Sequence, residues 1–152
     1  MRRIATGLSF GLVILALAAT SAFALSSGAH YNTEPTLVVS NNALTVSGTA
    51  AGLGNIGSVD ITLTGTVTVD ARCYTKSQNK PQAANKQETT DVNLGGPFPT
   101  SKNGSVSFSF TVSPLSTLSC PKGQIVTIES ISYNLTLNFP SYSDLNRTFT
   151  SS

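Results

Sequence analysis

The sequence predicts an all-β protein, an immunoglobulin-like β-sandwich of six to eight antiparallel strands closed by one disulfide. Three observations carry that expectation. Residues 58–73 alternate without a break: Val59, Ile61, Leu63, Gly65, Val67, Val69, Ala71 and Cys73 fall on one parity, and Asp60, Thr62, Thr64, Thr66, Thr68, Asp70 and Arg72 on the other. Successive side chains of a strand point to opposite faces, so this stretch is one long strand with a core face and a water face. Shorter alternating runs separated by turn residues recur along the chain, and beyond the N-terminal segment none shows a 3.6-residue apolar period, which favours a sandwich or barrel. The two cysteines, Cys73 and Cys120, lie downstream of an export signal, where an oxidising compartment makes a single bridge the default. A jelly roll or a small open barrel fits the same pattern, since the chain lacks tryptophan, the usual core marker of antibody domains.

At the N-terminus, Arg2 and Arg3 precede an apolar run from Leu8 to Ala19, and Ala22 and Ala24 flank Phe23. That is the layout of a secretory signal peptide cleaved after Ala24. An apolar run of about 12 residues is too short for a membrane anchor, which takes about 20. Thr150, Ser151 and Ser152 offer no apolar tail for a second anchor. The expected organisation is a signal peptide over 1–24, a flexible lead-in over 25–35 and a single β-sandwich domain over 36–150, secreted and free of the membrane after cleavage. About 130 residues suit one domain with a real core. The chain carries nine Lys and Arg against seven Asp and Glu, and losing Arg2 and Arg3 balances the two signs. A neutral chain has no general electrostatic reason to bind nucleic acid or anionic membrane.

The elements follow in order. Residues 36–39 and 43–48 are β-rich pieces around Ser40, Asn41 and Asn42, which have turn chemistry, and they predict an edge hairpin or two adjacent strands. Residues 50–57 hold Gly52, Gly54 and Gly57 and form a loop into the long strand. Residues 74–87 are rich in Lys, Gln and Asn with Pro81 and no apolar period, the composition of an exposed excursion. Residues 88–94 make a short, weakly patterned strand, and Gly95, Gly96, Pro97, Phe98 and Pro99 a turn-rich connector. Residues 105–113 alternate cleanly, with Val106, Phe108, Phe110 and Val112 inward. Residues 114–123, with two prolines and Cys120, form an irregular crossing from which the bridge reaches back to the long strand. Residues 124–139 carry two phases, Val126 and Ile128 on one parity and Ile131, Tyr133, Leu135, Leu137 and Phe139 on the other. One extra residue at Glu129 or Ser130 reconciles them as a β-bulge or sharp bend. Residues 145–150 add a final edge strand.

Little in the chain points to catalysis. The single histidine, His30, falls in the lead-in, where a Ser-His-Asp or Cys-His arrangement would lack preorganisation. A structural zinc site wants about four Cys or His ligands, and an Asp- and Asn-dense calcium loop is not evident. Asp60 and Asp70 share one strand face ten positions apart, about 33 Å at the usual rise, too far for paired acid and base work. Glu34, Glu88, Asp91, Glu129 and Asp144 are scattered, so only the fold could pair two of them. The expectation is a protein that is not an enzyme and carries no cofactor or metal.

The candidate contact region is the polar stretch after Cys73: Arg72, Tyr74, Lys76, Asn79, Lys80, Gln82, Asn85 and Lys86, four cations and an aromatic with no acid between residues 71 and 87. Such a patch can engage an acidic glycan or a protein, or it can simply keep a loop soluble. The outward threonines of the long strand are equally at home on any exposed sheet face. Asn103, Asn134 and Asn146 fit the N-glycosylation acceptor pattern, which has meaning only for a eukaryotic source.

The ordered pieces Leu44-Thr45-Val46-Ser47-Gly48, Gly52-Leu53-Gly54-Asn55, Cys73 followed by Pro81-Gln82-Ala83-Ala84-Asn85-Lys86, and Ser119-Cys120-Pro121-Lys122-Gly123-Gln124 resemble a group of uncharacterised small exported bacterial β-domain proteins. The resemblance spans residues 36–139, with Lys76-Ser77-Gln78 here where that group carries a Gly-Gly pair. It implies an exported, disulfide-linked β domain and supplies no catalytic residues. The function expected from all of this is a secreted or cell-surface, non-enzymatic protein that binds a protein or a cell-wall glycan. The alternatives are a structural, self-assembling envelope protein, and an enzyme whose carboxylate site only the fold would reveal.

Overall fold

The computed structural model describes residues 28–76 and 81–151. The expected signal peptide, the candidates Asn79 and Lys80, and the side chain of Gln82 lie outside the described residues. The strands are β1 (His30–Ser40), β2 (Ala43–Ala51), β3 (Ser58–Thr75), β4 (Pro81–Pro99), β5 (Val106–Val112), β6 (Gln124–Asn138) and β7 (Arg147–Ser151). They form two antiparallel sheets, one in the order β1-β2-β5 and the other β4-β3-β6-β7. A single core, with Leu44 and Val46 from the first sheet and Ile61, Leu63, Leu135 and Leu137 from the second, fills the space between them.

The alternation that predicts β3 is realised along its length. Val59, Ile61, Leu63, Val67, Val69, Ala71 and Cys73 are all buried, while Thr64 and Thr66 face water. β5 behaves the same way, with Val106, Phe108, Phe110 and Val112 in the core. Phe139, fully buried, meets Phe108 edge-on at 5.7 Å and Tyr31 at 6.1 Å between ring centroids. This aromatic knot joins β1 and β5 of one sheet to the end of β6 in the other.

The hairpin expected around residues 40–42 forms between β1 and β2. Asn41 and Asn42 both take positive φ, 49° and 61°, as the two central positions of a type I′ turn require. Cys73 and Cys120 are bridged with Cα atoms 5.6 Å apart. Closing a loop across their separation of 47 residues stabilises the fold by about 4 kcal/mol in the chain-entropy model. No helix among the described residues is long and apolar enough to cross a membrane, and a disulfide is the chemistry of non-cytoplasmic, oxidising compartments.

Three expectations need correction. Residues 74–87 are not an open excursion, because β3 continues to Thr75, β4 starts at Pro81, and Arg72, Ala71 and Asp70 pair with Asn85, Lys86 and Gln87. Residues 95–99 are likewise the end of β4 and not a connector. β4 is an edge strand, so its outer face and outer rim are wet and neither an apolar period nor a full set of N–H donors is needed. That is where Pro81, Pro97 and Pro99 are tolerated. Finally, β1 begins at His30, inside the expected lead-in, with Tyr31 paired to Ala50 and Thr33 to Thr49. The side chain of Tyr31 explains the ordering: its ring packs on Phe108 and Phe139, its hydroxyl donates to the Leu145 carbonyl, and the Arg147 guanidinium lies 4.7 Å over its face.

Candidate functional site

The outer face of the four-stranded sheet carries a cluster of polar side chains at the end nearest the β3–β4 connection. Its geometry starts with the bulge in β6. Asp70 pairs with Ser130 and Ala71 with Ile128, so that of the two positions the sequence leaves open, Glu129 is the extra residue. An extra residue bends its strand and re-aims a side chain. Glu129 is thereby turned onto the outer face, where its carboxylate meets the Arg72 Nε at 2.7 Å and accepts a hydrogen bond from the Tyr74 hydroxyl. Being held as donor to that carboxylate, and to a lesser extent burial, raises the Tyr74 hydroxyl above its ordinary pKa. One position further, the Ser130 hydroxyl donates to Asp70 at 2.8 Å.

These groups border an open depression of about 320 Å³ lined by Asp70, Arg72, Asn85, Gln87, Glu129 and Ser130. Arg72 is 41 % exposed, and only its Nε is engaged; the two terminal guanidinium nitrogens have no partner among the described residues. Asn85 and Gln87 rise from β4 on the same face and are exposed. The depression therefore presents a planar cation, two amides and a hydroxyl beside the Asp70 and Glu129 carboxylates. Its guanidinium and amide donors can pair with a carboxylate of a ligand, and its two carboxylates with the ligand's hydroxyl or N–H donors.

The fold divides the candidate set. Arg72, Tyr74 and Asn85 come together on the outer face, and Lys76 stands exposed at the turn that follows β3. Lys86 also lines the depression, but its ammonium is engaged elsewhere. It pairs with buried Ala71 and so has the opposite parity, and its Nζ binds Glu88 at 2.9 Å and the Thr117 hydroxyl at 2.7 Å. The patch read as uniformly basic is locally neutralised, because Glu129 and Glu88 arrive from elsewhere to pair with Arg72 and Lys86. Asp70 and Glu129, 59 positions apart in sequence and brought together by the bulge-shifted pairing, share the depression. Only the register of β3 on β6 reveals that juxtaposition.

Glu88, in sequence only one of several scattered carboxylates, has a role that the fold alone reveals. Its carboxylate accepts from the Ser116 hydroxyl at 2.5 Å, the Thr117 hydroxyl at 2.5 Å and the Thr117 N–H at 2.8 Å. These donors, Ser116 first and then Thr117 and Lys86, pull it down to a pKa of about 2. Asn42 holds the same segment from the other sheet, accepting from the Ser116 N–H at 2.8 Å and donating to the Ser116 carbonyl at 3.0 Å. Together they clamp the irregular crossing that carries Cys120.

Of the sequon asparagines, Asn103 and Asn134 are exposed, whereas Asn146 is half-buried and accepts from the Phe139 N–H at 2.8 Å. His30, at the start of β1, contacts the Gly28 carbonyl through Nδ1 at 2.7 Å. Among the described residues no group of three or more His, Cys, Asp or Glu side chains is placed to hold a metal ion. No protein-family model matches the chain, and no curated protein matches it.

Proposed function

We propose that this chain is a secreted or cell-surface binding module with an immunoglobulin-like sandwich, acting without catalysis on a carboxylate-bearing protein or glycan. The strand order supports the immunoglobulin-like reading. Lettered along the chain, β1-β2-β5 against β4-β3-β6-β7 reads A-B-E against C′-C-F-G, the arrangement of a sandwich whose C-F-G sheet has gained C′. The observation that carries the binding reading is the depression in which the half-free guanidinium of Arg72 stands between Asn85, Gln87 and Ser130. Its two carboxylates are already engaged by donors of their own sheet, Asp70 by Ser130 and Glu129 by Arg72 and Tyr74. That favours recognition over acid and base work.

Retention on immobilised polygalacturonate and polyglutamate tests this directly. Lys76, Asn85 and Gln87 are exposed, so replacing all three by Ala leaves stability within about 0.5 kcal/mol. The triple variant K76A–N85A–Q87A binds about tenfold more weakly than the parent, the loss expected when contacts worth about 1.4 kcal/mol disappear. Equal retention of parent and variant on both matrices would reject the corner as the contact surface.

A further inference from the structure

β6 is covered unevenly. β3 pairs with it from end to end, but β7 pairs only with Tyr133, Asn134, Leu135, Thr136 and Leu137. Among the described residues no strand lies on the other side of residues 124–132. Burial follows the same boundary: the inward residues Val126, Ile128 and Ile131 are only half-buried, whereas Leu135 and Leu137, beneath β7, are fully buried. Alternate backbone N–H and C=O groups of an antiparallel strand face each edge, so this half of β6 offers a row of them to a further strand. A groove of about 330 Å³ runs beside it, between Val126, Thr127 and Ile128 and the tip of the first hairpin at Val39, Ser40, Asn41 and Asn42. Two of the few exposed large apolar side chains, Ile125 at 45 % and Val39 at 37 %, border this edge.

We propose that two copies of this chain pair edge to edge through residues 124–128, antiparallel about a two-fold axis at Val126. The sequence of that stretch, Gln-Ile-Val-Thr-Ile, is uncharged, free of proline and glycine and rich in β-branched residues, the composition that favours strand self-pairing. Centring the axis on Val126 keeps faces matched: Ile125 lies across from Thr127 of the other copy, Gln124 across from Ile128, and Val126 meets its own equivalent near the groove. A shift by one residue would oppose core-facing to water-facing side chains. Charge also fits this register. Glu129 follows the paired stretch and Lys122 precedes it, so each end of the ladder brings the lysine of one copy toward the glutamate of the other. The bulge at Glu129 interrupts the edge and limits the ladder to five residues. Because the same patch is used by both copies, the contact closes as a dimer and does not propagate.

Residues 124–128 are distinct from those lining the corner depression, and Glu129, which lines it and follows the ladder, is kept in every variant, so dimerisation and ligand retention are separable. Sedimentation equilibrium of the disulfide-intact protein from about 10 μM to about 1 mM is expected to show a monomer passing to a dimer and no further. Ile125 and Thr127 lie on the outer face, and I125K–T127K sets like charges across both symmetric positions, weakening association at least tenfold. I125K–T127E sets opposite charges across the same positions and regains association. A parent protein that stays monomeric throughout, assemblies that grow past two copies, or two charge variants that associate equally would each overturn the proposal.

Discussion

Glu88 shows how a single side chain can be invisible in sequence and decisive in the fold. Its neighbours Gln87 and Thr89 give no hint that it will reach across to Ser116 and Thr117, because that contact depends on β4 running along β3 in one register. With its side chain only 15 % exposed and its pKa lowered from 4.5 to about 2, the folded state binds fewer protons than the unfolded chain. Its contribution to stability is complete above about pH 4.5 and is lost as the pH falls toward about 2. Urea unfolding of the parent should therefore show a midpoint that declines across that window. In E88Q the midpoint should be lower at pH 6 and the decline shallower. A parent and variant with parallel pH profiles would mean the clamp contributes nothing. The same dependence on partners explains Lys86, which composition places in a basic patch and the pairing with Ala71 turns away from it.

Among the strands, those with one dry face and one wet face were legible. β3 and β5 follow their alternation residue by residue, and the phase change in β6 confines the bulge to Glu129 or Ser130, of which the pairing selects Glu129. β4 was not legible, because an edge strand with a solvated face imposes no period on its sequence and accommodates Pro and Gly. The start of β1, residues 30–35, was illegible for a related reason: it is held by one residue, Tyr31, whose anchoring contacts come from the far end of the chain. The crossing of β3 and β6 makes its own demand at Gly65, a glycine in the middle of the best strand. Its φ is 138°, and a Cβ there would sit 2.0 Å from the Asn134 carbonyl oxygen. Strained backbone alone costs about 1–3 kcal/mol, so G65A should lower the unfolding free energy by at least that much, measured by urea denaturation of the disulfide-intact protein. An unchanged midpoint would show that the β3–β6 contact is looser than the geometry here.

Taken whole, the molecule is a two-sheet sandwich with its crossing segment fastened at three points: the Cys73–Cys120 bridge, the Glu88 carboxylate and the Asn42 side chain. The bridge was predictable from compartment and count, but the two polar fastenings were not, since each joins residues from different sheets or loops. That fastening holds rigid the end of β3 on which Arg72 and Tyr74 stand, and the bulge of β6 brings Glu129 and Ser130 beside them. The binding corner is thus a product of register, and composition alone could indicate only its neighbourhood. Amide and side-chain NMR of the isotope-labelled protein titrated with a galacturonate oligosaccharide and with a glutamate-rich peptide tests this placement most directly. Perturbations should cluster on the Arg72 guanidinium, the Asn85 and Gln87 amides and Ser130 for at least one of the two probes. Perturbations confined to other surfaces, or none with either probe, would contradict it.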